Sequence, residues 1–129
     1  MKISKGILVL ALAIVSLVSC KKDDVVVDNG LVGTWEGEWG FDEEDPDVYE
    51  RWEIKKNGEL LAYDGSGDLI AKGTCNVNGL NFEGEYKSEY DDNEYSLTGL
   101  YHDVLKEIVG TWGHDGSTTN GGNFEMYKK

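Results

Sequence analysis

The chain has 129 residues, with 25 Asp and Glu against 12 Lys and Arg, a net charge of −13, two cysteines, one proline and 17 glycines. That length allows one domain, and two cysteines are too few for a disulfide scaffold. A surplus of acid with a single arginine, Arg51, and scattered lysines provides no basic stripe, which excludes nucleic acid as a partner.

Lys2 and Lys5, an apolar run from Ile7 to Val18 and small residues after it have the three-part layout of a secretory signal. The run is about 12 residues, short of the roughly 18 to 20 that a membrane-spanning helix needs. The cut falls before Cys20, and Leu17, Val18, Ser19 and Cys20 resemble the lipobox of bacterial lipoproteins. That resemblance implies a diacylglycerol on the Cys20 thiol and a further acyl chain on its freed amine; two or three such chains anchor a protein permanently. An ordinary cleaved signal beside an incidental cysteine is the alternative. Cleavage of residues 1–19 removes two lysines, leaving 110 residues with a net charge of −15. Residues 20–30 read as a flexible tether, about 30 Å at full stretch. Within it Lys22, Asp23 and Asp24 resemble the lysine-plus-two-acids export signal of Bacteroidetes lipoproteins, which implies the outer face of the outer membrane; a solvated charge cluster would look the same.

From Leu31 the dominant signal is period-2 alternation broken by glycine turns, with no helical periodicity. Leu31, Gly33, Trp35, Gly37, Trp39 and Phe41 share one face of a first strand, followed by the acidic loop 42–47. Asn57-Gly58 predicts a two-residue type I′ turn. Pairing outward from it sets Ile54 opposite Leu61, Trp52 opposite Tyr63 and Arg51 opposite Asp64. A fourth strand shows Leu69, Ala71, Gly73, Cys75 and Val77 on its apolar side. Asn78-Gly79 predicts a second turn, with Val77 opposite Leu80, Cys75 opposite Phe82 and Ala71 opposite Tyr86. Tyr95, Leu97, Gly99 and Tyr101, then Ile108, Gly110 and Trp112, then Phe124 and Met126 face inward on the last three strands. Eight strands in residues 31–129 result, and Cys75 reads as a small core residue rather than a nucleophile.

Five glycines stand two residues before an aromatic on the same face, as in Gly37 and Trp39 or Gly110 and Trp112. Inward glycines permit tight coiling and leave room for a ring from the next strand, as a small barrel requires. Closure also removes the exposed edges of an eight-strand meander. The fold expected is therefore all-β, a single eight-stranded antiparallel up-and-down barrel. Gly33-Thr34-Trp35, Leu97 to Tyr101, Ile108 to Trp112 and Phe124 to Lys128 resemble the calycin-type barrels, the short lipocalin-like and avidin-like domains of small bacterial lipoproteins. Full lipocalins end in a helix and pair the first-strand tryptophan with a late arginine, whereas no arginine follows Arg51 here; nor does an avidin biotin pocket map onto these residues.

A barrel of this size is either filled by side chains or holds one small ligand. The candidate ligand-binding residues are Trp35, Glu50, Trp52, Tyr63, Tyr86, Tyr101 and Trp112, with the tyrosine-rich end as the mouth. Glu50 shares the parity of Trp52 and Ile54; it is a ligand-orienting group or a solvated strand-end residue, and strand ends usually reach water. The loop 42–47 lacks the spacing of an EF-hand, and no metal or cofactor is expected. His102 and His114 join no nucleophile, base and orienter set, so no enzyme activity is expected. Two functions fit: non-catalytic binding of a small ligand in the barrel mouth, or a surface module whose acidic face meets a basic protein, as an inhibitor would.

Overall fold

A computed structural model describes residues 30–129. The signal segment, Cys20, Lys22, Asp23, Asp24 and the tether up to residue 29 lie outside the described residues. Eight strands run β1 (Gly33–Trp39), β2 (Val48–Ile54), β3 (Glu59–Tyr63), β4 (Leu69–Asn78), β5 (Asn81–Ser88), β6 (Glu94–His102), β7 (Glu107–His114) and β8 (Gly122–Lys128). Each pairs antiparallel with the next, and β8 returns to β1 from Trp35 opposite Lys128 to Trp39 opposite Phe124. The result is a closed, all-antiparallel eight-stranded barrel in meander order, consistent with a calycin-like fold.

The alternation sorts side chains as the sequence predicts on most strands. Trp35, Trp52, Ile54, Phe82, Leu97, Ile108, Phe124 and Met126 are buried inside, and Cys75 lies among them as a free, buried thiol. Two of the inward glycines show why no other residue serves there. A Cβ on Gly73 would run into the carbonyl of Glu85, and one on Gly110 into the carbonyl of Thr98, because neighbouring strands close on each other at these points.

Both hairpin registers differ from expectation. Between β2 and β3, Lys55 N–H donates to the Glu59 carbonyl and Gly58 N–H to the Lys55 carbonyl. Of Asn57 and Gly58 only Gly58 has a positive φ, at 90°, so the connection is a three-residue loop ending in a glycine bulge rather than a type I′ turn. The register moves by one: Ile54 pairs with Leu60, Trp52 with Ala62 and Arg51 with Tyr63. A shift of one exchanges the faces. Leu60 and Ala62 are buried inside, while Tyr63 stands on the outer wall with the Arg51 guanidinium 4.2 Å above its ring. Between β4 and β5 the central turn residues are Gly79, with φ 70°, and Leu80. Val77 therefore pairs with Phe82 and Cys75 with Gly84, a shift of two that leaves the faces unchanged.

One further irregularity matters for the site. Ala62 pairs with Ala71 but Tyr63 with Leu69, so Ile70 is an extra residue in β4. Such a bulge re-aims a side chain. Ile70 packs against the core, in place of the Leu69 that strict alternation expects there.

Candidate functional site

The two ends of the barrel differ. At the closed end, where Leu31 enters, Trp35 donates its indole N–H to the Leu31 carbonyl at 2.9 Å and packs edge-on to Tyr101 at 6.3 Å. The Lys128 ammonium donates to the Gly30 carbonyl at 2.8 Å, across the same end. Leu60, Ile108 and Met126, all essentially inaccessible, fill the space between. Trp35 and Tyr101 are thus structural core, remote from the mouth.

Halfway up, Trp52 stacks on Phe82 (5.6 Å, 14° between planes) and both contact Phe124. These three rings form a floor. Above it the barrel is hollow, with a cavity of about 320 Å³ lined by Trp39, Glu50, Ile70, Tyr86, Tyr95 and Trp112, and bordered at the rim by Phe41, Ala71, Ser88 and Tyr90. That volume lies within the range of small-molecule sites. A larger depression of about 860 Å³ shares Phe41, Tyr95 and Trp112, but also takes in Glu85, Ser96 and the 115–121 loop. Glu85 is exposed, its β5 parity opposite to that of inward Phe82 and Tyr86, so this depression is a polar groove outside the wall.

The mouth rings hold one another. Trp39 meets Phe41 at 4.9 Å and Trp112 at 5.3 Å; Trp112 meets Tyr95 at 5.9 Å, and Tyr95 meets Tyr86 at 5.9 Å. All four contacts are edge-to-face, the geometry that aromatic quadrupoles prefer. Trp112 is fixed further by its indole N–H, which donates to the Gly40 carbonyl at 3.0 Å. A Cβ on Gly121 would strike the Trp112 ring, so the β7–β8 loop is shaped around it.

Glu50 is the polar centre of this apolar space. It is 3 % exposed, where a strand end predicts solvation. Trp52 Nε1 donates to its Oε2 at 2.7 Å from below, and the Tyr86 hydroxyl donates to the same oxygen at 2.8 Å, reaching from β5 to β2. The Trp39 side chain also favours the anion, more weakly. Burial outweighs these donors and holds the Glu50 carboxyl above its ordinary value of 4.5. Burial, and then the adjoining carboxyl, push Tyr86 well above the usual tyrosine range, so its hydroxyl stays protonated as a donor. Among the described residues no ion pair reaches Glu50.

No protein-family model, curated protein or solved structure matches this chain. What the site can do rests on its geometry.

Of the seven sequence-predicted ligand residues, Glu50, Tyr86 and Trp112 line the cavity and Trp52 forms its floor; Trp35 and Tyr101 lie at the far end, and Tyr63 lies outside. Trp39 and Tyr95 have the inward parity that marks them as available. Ile70 carries no such signal, because a bulge brings it in. His114 ends β7 at the mouth, beside Asp115 at 3.1 Å, and His102 lies at the opposite end beside Glu107. Among the described residues no three His, Cys, Asp or Glu side chains converge as a metal site requires.

Proposed function

We propose that this protein is a non-catalytic binding lipoprotein of the bacterial outer membrane, holding a small ligand in the mouth of its barrel. The observation that carries the reading is the aromatic cavity with the buried Glu50 carboxyl at its base. A packed core would have no use for a carboxyl there, since an apolar side chain would fill the space without the cost of desolvation.

The topology supports the anchored arrangement. Gly30 and Leu31 stand at the closed end, so a tether from an acylated Cys20 would join the barrel opposite the mouth. The turns at that end carry Lys55, Lys56 and Lys106, and Lys129 is beside them, whereas the mouth loops carry acids. A barrel tethered in this way presents its cavity away from anionic lipid, outward if Lys22, Asp23 and Asp24 act as an export signal.

Tryptophan fluorescence during a screen of small apolar and amphipathic compounds tests the binding role. Saturable quenching is expected; a screen with no saturable change contradicts it. Mass spectrometry of the membrane fraction is expected to find acylated Cys20, and protease shaving of intact cells is expected to remove the domain. A second reading, docking of a basic protein, is favoured by the acidity of the four mouth loops. Salt-sensitive retention of such a protein, undiminished when the cavity is filled, would support it over the first.

A further inference from the structure

The charge of the mouth loops is one-sided, with Lys87 near the mouth end of β5 as a cation beside them, 4.0 Å from Asp92. The four loops there, residues 40–47, 64–68, 89–93 and 115–121, contain eleven Asp and Glu and no Lys or Arg. The three turns of the opposite end, residues 55–58, 79–80 and 103–106, contain three lysines and one aspartate. Exposed acids alone would mean little, because solvent and salt screen them within about 8 Å. Behind them, however, lies a nearly inaccessible carboxyl with no cationic partner among the described residues, in a cavity walled mostly by aromatic rings with Ile70 beside them.

Resting on the reading of the mouth as a ligand site, we propose that its guest is a small organic cation: an ammonium group on an apolar or aromatic body, its charge placed between the Glu50 carboxylate and the rings of Trp39, Tyr86 and Trp112. Three physical arguments select this class. An aromatic face attracts a desolvated cation by roughly 2 kcal/mol, and several rings converge here. The Trp52 and Tyr86 hydrogen bonds to Glu50 both fall on Oε2, so neither of them occupies Oε1. Among the described residues no Lys, Arg or His lines the cavity, so an anion would meet Glu50 and the acidic rim uncompensated. A bare metal ion is served poorly, since calcium and magnesium need several oxygen ligands and the cavity supplies one carboxylate. The rim concentrates cations near the entrance and speeds their capture.

The other ionisable groups lining the cavity are Tyr86, Tyr90 and Tyr95. Glu50 therefore governs pH dependence within the cavity. With its carboxyl held above the ordinary range, affinity for a cation rises as pH rises through the Glu50 pKa and then levels off.

Three probes with one phenyl body and different charge test this: 2-phenylethylammonium, 2-phenylethanol and 3-phenylpropionate, followed by tryptophan fluorescence across a pH series up to pH 8 on the wild type and on Glu50→Gln. The ammonium is expected to bind at least about tenfold more tightly than the alcohol at pH 8, a difference of about 1.4 kcal/mol, and to weaken as pH is lowered through the Glu50 pKa, while the propionate does not saturate. Glu50→Gln keeps an acceptor for Trp52 and Tyr86, and is expected to bring the ammonium down to the affinity that the alcohol has for the same variant. The wild-type pH series needs no variant, so misfolding of the substitution would not rescue the idea. Equal binding of ammonium and alcohol throughout the series would overturn the cation and leave a merely apolar site. If none of the three saturates, both the cation and the ligand site are wrong.

Discussion

The bond from Tyr86 to Glu50 makes the sharpest demand on stability. Tyr86→Phe removes one hydroxyl and keeps the ring, so the edge-to-face contact with Tyr95 at 5.9 Å survives and the loss is confined to the 2.8 Å bond to Oε2. When Glu50 is ionised this is a hydrogen bond to a charged group, worth about 1.5–3 kcal/mol; when it is protonated the bond is neutral and worth about 0.5–1.5 kcal/mol. Trp52 continues to donate at 2.7 Å, so the carboxyl is weakened in its support rather than stranded. Because burial already raises the Glu50 pKa, the charged form is the one that depends most on Tyr86. The cost of the substitution should accordingly grow as pH rises through the Glu50 pKa, from under about 1.5 kcal/mol where the carboxyl is protonated to about 2 kcal/mol where it is ionised. For a domain of this size, 2 kcal/mol lowers Tm by on the order of 10 °C. Urea unfolding followed by tryptophan fluorescence across a pH series up to pH 8 measures it, kept above the isoelectric point of about 4.4 where the protein would tend to precipitate. A cost that is the same across the series, or below about 0.5 kcal/mol at pH 8, would show that Tyr86 does not support a charged Glu50.

Glu50→Gln tests the same carboxyl by linkage. A group whose pKa is raised by folding contributes stability that is complete below its unfolded value, near 4.5, and is lost as pH rises through the folded value. The Tm of Glu50→Gln relative to wild type should therefore climb as pH rises from about 4.5 through the folded value, and a relative Tm that falls instead would reverse the assignment. Gly110→Ala should cost at least about 3 kcal/mol, since its Cβ meets the Thr98 backbone, against about 1–2 kcal/mol for Gly67→Ala, where φ is 88° and the space is open. Denaturation curves of similar midpoint for the two would refute the close strand approach. Cys75 is buried and its pKa is pushed up to about 12, so alkylation mapped by mass spectrometry should reach it only through unfolding. Modification at the rate of an exposed thiol would place it elsewhere.

How far the sequence revealed this arrangement follows from what alternation does and does not encode. Inward parity identified Trp39, Glu50, Trp52, Tyr86, Tyr95 and Trp112, because a residue's face is set by its place in its own strand and survives an error of two in pairing, as β4 and β5 show. The β2–β3 hairpin was not legible. Asn-Gly suits both a type I′ turn and a loop with a glycine bulge, and β3 offers adjacent leucines, Leu60 and Leu61, so either register buries an apolar residue. Structure decides for Leu60, with Tyr63 turned out beneath Arg51. Ile70 was hidden for a related reason, as a bulge breaks the period that would reveal it. The height of a residue within the barrel was equally invisible: Trp35 and Tyr101 share parity with the mouth rings and lie at the other end. Glu50 was placed on the right face but read as solvated, since nothing local shows that Trp52 and Tyr86 cover it.

The four tryptophans provide a position-resolved measure of the mouth as a binding site. Each indole N–H gives its own signal in a nitrogen-edited NMR spectrum, and Trp39 and Trp112 lie at the mouth, Trp52 at the floor with its N–H on Glu50, and Trp35 at the closed end with its N–H on Leu31. Titration with 2-phenylethylammonium should shift Trp39, Trp112 and Trp52 together along one saturating curve and leave Trp35 in place. Four unmoved signals would contradict a cation site, and a Trp35 that moves with the rest would contradict binding in the mouth of this barrel.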